Sequence, residues 1–149
     1  MIEAGAWDVV VIGAGPAGAV AAHQLAKRGH QVLLVDKAAF PREKVCGCCV
    51  NHHAVTMLQT LGLGDAIAEQ PTTALRAFEV RASGRRACFN LPGGVALSRH
   101  ALDQALVEQA TQRGAHFEDR TKAAIEPSQH DAPTRSITLT CNQQSQSIT

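Results

Sequence analysis

Apolar positions along this chain recur with two different periods. Residues 7–12 and 31–35 are short runs dominated by Val, Leu and Ile, the pattern of strands covered on both faces in a parallel sheet. Between them Ala17, Val20, Ala21 and Leu25 recur at helical spacing as a buried stripe, which predicts a helix from Pro16 to about Arg28. Pro16 sits in its first turn and Gly29 stops it. Strand, helix and strand together predict one right-handed βαβ unit.

The pattern then changes. Residues 37–50 read as a loop rich in Pro, Gly, Cys and basic residues, before a helical pattern resumes through Ala54, Val55, Leu58 and Leu61 and ends at Gly62 and Gly64. Residues 74–80 and 86–91 predict two antiparallel strands joined around Ser83 and Gly84, with Pro92, Gly93 and Gly94 closing the excursion. Ser98 is placed to cap a second helix whose apolar face is Ala101, Leu102, Ala105, Leu106 and Ala110, with Gly114 at its end. Residues 115–117 read as the next parallel strand. Residues 122–125 and 136–141 also have strand character, separated by a polar loop containing His130, Asp131 and Pro133. In the second of them Ile137, Leu139 and Cys141 alternate with Thr138 and Thr140, so one face is buried. Ser147, Ile148 and Thr149 read as the first residues of a further strand, so the sequence is expected to end within a domain.

Composition narrows the class. With 149 residues, 45% hydrophobic, 18% charged and a formal net charge of +1, the chain can build one sizeable core. Basic residues are not interleaved with aromatics, Tyr is absent and Trp7 stands alone, so neither an electrostatic track nor a stacking platform for nucleic acid is expected. No apolar stretch is long enough to span a bilayer. Glu3 and the absence of a basic region ahead of the first apolar run read as a first strand rather than a secretion signal. Five cysteines without such a signal fit a reducing compartment, and a cytoplasmic location is expected.

The candidate chemistry lies where the first predicted strand meets its helix. Gly13, Gly15 and Gly18 form a GxGxxG turn after a β-branched strand, and Asp36 closes the second strand. Strand, glycine turn and helix N-terminus form a dinucleotide clamp: Gly13 permits the turn, Gly15 lets the backbone approach a pyrophosphate, and Gly18 lets helix and strand pack closely. Asp36 is placed to accept hydrogen bonds from a ribose hydroxyl. A structural glycine turn is the competing reading, and it leaves the acid unexplained. A simple nicotinamide domain would continue in regular βαβ units, whereas here a basic Pro/Cys/Gly loop and an antiparallel excursion intervene, a pattern that favours FAD. A free-standing NAD(P)-binding domain or a non-catalytic nucleotide module is the alternative.

The glycine motif, the stretch Asp36-Lys37-Ala38-Ala39-Phe40-Pro41-Arg42-Glu43-Lys44-Val45-Cys46-Gly47, and Ser98-Arg99 leading through Leu102 and Leu106 to Gly114 resemble the N-terminal part of the flavoprotein superfamily of para-hydroxybenzoate hydroxylase. The Phe-Pro-Arg-x-Lys-x-Cys-Gly stretch is most similar to its geranylgeranyl reductase branch. The resemblance implies an α/β, Rossmann-like FAD/NAD(P)-binding fold whose parallel sheet is interrupted by a short antiparallel excursion. Residues 1–149 would be an incomplete FAD-binding domain, with 1–73 and 98–149 Rossmann-like and 74–97 beginning an antiparallel substrate-domain sheet. The family's second FAD motif would lie beyond Thr149.

Carried over by position, Gly13, Gly15, Pro16, Ala17 and Gly18 would hold the FAD pyrophosphate. Asp36, where the family more often has Glu, would take the adenosine ribose, with Lys37 beside it. Arg42, Lys44, Cys46 and Gly47 lie on the loop that in the family passes the cofactor, and Arg99 falls where a polar side chain reaches FAD. The family also places backbone near Ala124 against the adenine. Solvated loop charges are the competing reading for Arg42 and Lys44, and for Arg99 a helix-start arginine paired with a nearby acid. Basic side chains suit a diphosphate because a guanidinium can grip its oxygens bidentately.

The run Cys46-Gly47-Cys48-Cys49, with His52 and His53 behind it, departs from the family, where small residues follow the Cys-Gly. One such cluster offers no second ligand pair for zinc, so no metal is expected. A flavin-facing thiol role for Cys46 or Cys48 stays open beside the plainer expectation of small, partly buried residues lining the turn. His23, His30, His100, His116 and His130 are expected on the surface. The flavin would carry the chemistry. The implied parent enzyme either reduces a carbon–carbon double bond, with NAD(P)H among the candidate electron donors, or hydroxylates or epoxidises an organic or prenyl-type small molecule. Prenyl-lipid substrates would imply peripheral membrane contact, although no amphipathic anchor is visible. These residues name no catalytic acid or base, and no oligomeric state.

Overall fold

A computed structural model describes residues 7–127, 134–141 and 144–148. It opens with β1 (Val9–Ile12), α1 (Pro16–Lys27) and β2 (Val32–Val35), and the two strands pair in parallel from Val9↔Val32 to Ile12↔Val35. The chain then leaves this sheet for a long excursion. It contains β3 (Cys49–Asn51), α2 (His52–Thr60), α3 (Asp65–Ala68), β4 (Thr73–Ala74), β5 (Ala77–Ala82), β6 (Arg85–Asn90) and β7 (Gly94–Ala96). The chain returns through α4 (Arg99–Gln112) to β8 (His116–Glu118), which pairs in parallel with β2. Last come β9 (Thr121–Ile125), β10 (Ile137–Cys141) and β11 (Gln144–Ile148), an antiparallel sheet in the order β11-β10-β9.

β2 explains the layering. All four of its residues are fully buried, and their alternation sends Val32 and Leu34 into one apolar cluster and Leu33 and Val35 into another, as a period of two requires. The first cluster holds Ala19 and Ala22 of α1 with Leu102, Ala105, Leu106 and Ala110 of α4. The second holds Ile137 and Leu139 of β10 and Ile148 of β11. The parallel sheet β1-β2-β8 is therefore covered by helices on one face and by an antiparallel sheet on the other.

Three details differ from the sequence pattern. Cys49 and Val50 lie in the expected loop, yet with Asn51 they form β3, which pairs antiparallel with β7 from Cys49↔Ala96 to Asn51↔Gly94; so short a strand carries too little periodicity to be read alone. In α1 the buried residues are Ala19, Ala22 and His23, whereas Ala17 and Ala21 are exposed, because the face carrying the first three is the one packed against α4. The final strand begins at Gln144 and pairs with β10 from Cys141↔Gln144 to Ile137↔Ile148, although Gln144, Ser145, Gln146 and Ser147 offer no apolar alternation. His130, Asp131 and Pro133, like Glu3 and Thr149, lie outside the described residues.

Candidate functional site

Backbone geometry builds the first wall of the site. After β1 the chain turns at Gly13, whose φ of +104° is readily open only to glycine. The Gly13 N–H donates to the Val35 carbonyl at 2.7 Å, tying the turn to β2. Gly15 is the N-cap of α1 and has no side chain to cap it. Because the first bond into the helix runs from Ala19 N–H to the Gly15 carbonyl at 2.9 Å, the amides before Ala19 stand at the positive end of α1 without intrahelical partners. Gly18 faces β1. A Cβ there would lie 1.9 Å from the Gly13 carbonyl oxygen and 3.4 Å from Val11 Cγ1, so any side chain would push helix and turn apart.

Charged side chains build the opposite wall. Asp36 follows β2 and is 5% exposed. Its Oδ2 accepts from Ala14 N–H at 2.8 Å and its Oδ1 from Ala38 N–H at 2.9 Å, so the carboxylate pins the glycine turn to the end of β2. Arg42 Nη1 lies 3.5 Å from Asp36 Oδ2, and Arg42 Nη2 donates to Asp103 Oδ2 at 3.1 Å. Asp103, on α4 and 1% exposed, also accepts from Arg99 Nε at 2.8 Å and Nη2 at 2.9 Å. Asp36, Arg42, Asp103 and Arg99 thus alternate in charge along one chain of contacts. The Asp103 hydrogen bond is the main cause that raises the Arg99 pKa, against partial burial.

Both guanidiniums reach the glycine turn. From the Cβ position at Gly15, Arg42 Nη2 is 3.3 Å away and Arg99 Nη2 3.7 Å. The Arg42 guanidinium also sits 5.2 Å from the Phe40 ring centroid, and its Nε is buried without a partner.

A cleft of about 800 Å³ opens between these walls. It brings together Gly13, Gly15, Pro16, Ala17, Gly18, Asp36, Lys37, Arg42, Lys44 and Arg99. Arg42, 15% exposed and doubly paired, is not a solvated loop charge. Arg99 is paired with an acid and lines the cleft as well. Ile12, Val35, Thr121, Lys122 and Ala123 complete the lining, so the β9 residues at the wall precede Ala124.

Cys46 and Gly47 do not line the cleft, although Cys46 lies against the Arg99 guanidinium. Cys46, Cys48 and Cys49 are exposed rather than partly buried. The turn folds on itself: Cys48 N–H donates to Cys46 Sγ at 3.3 Å and Cys49 Sγ–H to the Gly47 carbonyl at 3.1 Å. Among the described residues no His, Cys, Asp and Glu come together as a metal-binding group of three. His23 departs from its expected surface position. It is 1% exposed, and burial, with Arg113 and Lys27 nearby, lowers its pKa.

Asp103 is the residue that sequence reasoning missed. Its place among Leu102, Ala105, Leu106 and Val107 on the buried side of α4 was the available signal, since a carboxylate is rarely buried unpaired. Its partner Arg42 is 61 positions away, beyond the reach of local pattern.

Comparison with known proteins agrees with this geometry. The family described as FAD binding domain matches residues 6–149. A menaquinone reductase of Mycobacterium tuberculosis (strain ATCC 25618 / H37Rv) is 37% identical over 139 residues, covering 89% of this chain and 33% of that protein. A digeranylgeranylglycerophospholipid reductase 2 of Methanopyrus kandleri is 36% identical over 114 residues, covering 75% and 28%. Among solved structures, a flavoprotein/dehydrogenase from Cytophaga hutchinsonii superposes with a TM-score of 0.83 at 27% identity, covering 95% of this chain and 37% of that one. The myxobacterial chondrochloren halogenase has a TM-score of 0.85 at 22% identity, covering 96% and 35%, a likeness of fold. The chain spans about a third of the length of these relatives.

Proposed function

The chain belongs to the FAD binding domain family, and from that premise we propose that it is the nucleotide-holding part of a flavin-dependent reductase of prenyl-type lipids. The carrying observation is the cradle at Gly15. Uncapped amides at the start of α1 and two guanidiniums within 4 Å of the Gly15 Cβ position converge on one point, and the buried Arg42 Nε still lacks an acceptor. That donor set fits a diphosphate. Gly15, Ala17 and Gly18 would hold it through backbone N–H groups, with Gly13 and Pro16 shaping the turn, and Arg42 and Arg99 through their remaining N–H groups. Lys37 and Lys44 would supply further positive charge.

Asp36, at the rim beside Lys37, is assigned to the adenosine ribose. Both its oxygens already accept a backbone amide, which fixes the carboxylate in place and leaves further lone pairs for hydroxyl donors. Thr121, Lys122 and Ala123 form the wall for the adenine. The exposed thiols of Cys46 and Cys48 stand on the loop beyond Arg99. Bound in this way, FAD would supply the transfer of reducing equivalents, while these residues bind and orient it.

The lipid-reductase assignment draws on the relatives named for menaquinone and for a digeranylgeranyl phospholipid. Oxygenation of an organic molecule is the second reading, and NAD(P)H is a candidate donor for either. A cytoplasmic enzyme in peripheral contact with a membrane fits such substrates; no helix among the described residues is long and apolar enough to cross a bilayer.

Equilibrium titration of the purified chain with FAD, read by quenching of flavin fluorescence and by competition with ADP, tests the site. FAD binding that ADP displaces is the expected result. Binding of NAD in preference to FAD, or no binding of either, would overturn the assignment.

A further inference from the structure

We infer that Asp103 is a positioning residue, one whose buried carboxylate fixes the angle at which Arg42 and Arg99 present their outer N–H groups to a diphosphate at the Gly15 turn. The inference rests on the nucleotide reading above and assigns a role to a residue that touches no part of the ligand in that reading.

Three observations carry it. Asp103 is 1% exposed, yet both its oxygens are occupied from the side of the cleft: Oδ1 by Arg99 Nε, Oδ2 by Arg99 Nη2 and Arg42 Nη2. Its neighbours on that side of α4 are Leu102, Ala105, Leu106 and Val107. An apolar side chain would serve packing there at least as well, because burying a carboxylate is costly and its ion pairs at best offset that cost. The carboxylate also joins two segments remote in sequence, since Arg42 lies on the loop after β2 and Arg99 opens α4.

The third observation is how donors and charges divide. A guanidinium has five N–H donors; Asp103 takes two from Arg99 and one from Arg42, and Asp36 faces a further one of Arg42, so each fork keeps donors for a ligand. The negative charges of Asp36 and Asp103 balance those of Arg42 and Arg99, leaving Lys37, Lys44 and Lys122 as the excess at the cleft. That excess of positive charge suits the negative charge of a diphosphate. Asp103 therefore acts on geometry, holding both forks against the glycine turn, while the lysines supply the net field.

The test is calorimetric titration of ADP, with adenosine as control, against the wild-type chain, Asp103→Asn, Arg99→Lys, Arg99→Gln, Arg42→Gln/Arg99→Gln and the triple variant that adds Asp103→Asn. Asp103→Asn is expected to weaken ADP about tenfold and leave adenosine unchanged. In the double-arginine background it should add nothing, because it acts through those arginines. Arg99→Lys, which keeps the charge and loses the fork, should bind ADP as weakly as Arg99→Gln.

Wild-type affinity in Asp103→Asn, or an effect that persists in full without the arginines, overturns the inference and leaves the nucleotide site standing. Should Asp103→Asn fail to fold by circular dichroism, the Arg99→Lys arm decides alone, and wild-type ADP affinity there is the overturning result. A wild-type chain with no affinity for ADP would sink the nucleotide reading itself, and this inference with it.

Discussion

β2 and β5 are both short runs of strand-forming residues, and they finish at opposite extremes of burial. Every residue of β2 is at 0% exposure, whereas every residue of β5 and of its partner β6 is exposed. Propensity does not separate them. β2 has a layer on each face, helices against Val32 and Leu34 and the antiparallel sheet against Leu33 and Val35. The β5–β6 hairpin relies on its own ladder and cross-strand pairs. Phe78 faces Phe89 and Val80 faces Ala87 on one side; on the other, Glu79 forms ion pairs with Arg81 and Arg86. A two-stranded ribbon with so little burial is marginal by itself. The cleft is therefore built on the rigid region of the molecule.

The comparison can be broken most severely at Gly18. Gly18→Val sets a side chain against the Gly13 carbonyl, so FAD affinity should fall at least about 100-fold and unfolding stability by about 3 kcal/mol, read by flavin titration and urea melts. Leu34→Ala comes next: a fully buried side chain is lost and about 3 kcal/mol with it, while the cleft residues stay in place. FAD affinity should change far less than for Gly18→Val.

pH probes the same rigid region more gently. The His23 pKa is lowered in the fold, so the unfolded chain takes up a proton as pH falls through about 6.5 while the buried ring stays neutral. Stability should be full above that pH and decline below it, and His23→Gln should flatten the decline in thermal melts taken from pH 7.5 to 5. Smallest are the hairpin changes. Phe78→Ala should cost about 0.5 kcal/mol, and Arg81→Ala still less because its ion pair is exposed. A loss of several kcal/mol at Phe78 would show that the hairpin is packed against something in solution and would erase the contrast.

The same contrast sets what the sequence revealed. The continuous run of β2, the helix capped by Ser98 through Ala101 N–H, and the glycine turn are legible because each rests on local periodicity or a backbone demand confined to a few residues. The cleft was legible through Gly13, Gly15, Gly18 and Asp36 for that reason. β3 was hidden because its partner β7 lies more than 40 residues onward and three residues carry no period. Asp103 was hidden because charge on a helix reads as a solvated position until a distant arginine covers it. His23 was hidden likewise: a ring at the α1–α4 contact, its Nδ1 3.0 Å from the neighbouring Gln24 Nε2, has no sequence pattern of its own.

The parallel sheet is left at Val35 and rejoined at His116, and that detour orders the assembly of the molecule. β1, α1 and β2 can find one another within fewer than 30 residues, so the glycine turn belongs to a low-contact-order unit that forms early. β8 pairs only after the whole intervening chain has been closed into a loop, an entropic toll that precedes the reward of its contacts. Asp36 stands at one mouth of that loop and Arg99 near the other. The pairing of Arg42 and Arg99 through Asp103 is consequently expected to form late in folding, and a nucleotide that bridges both walls would act as a clasp on the closed loop, slowing its reopening.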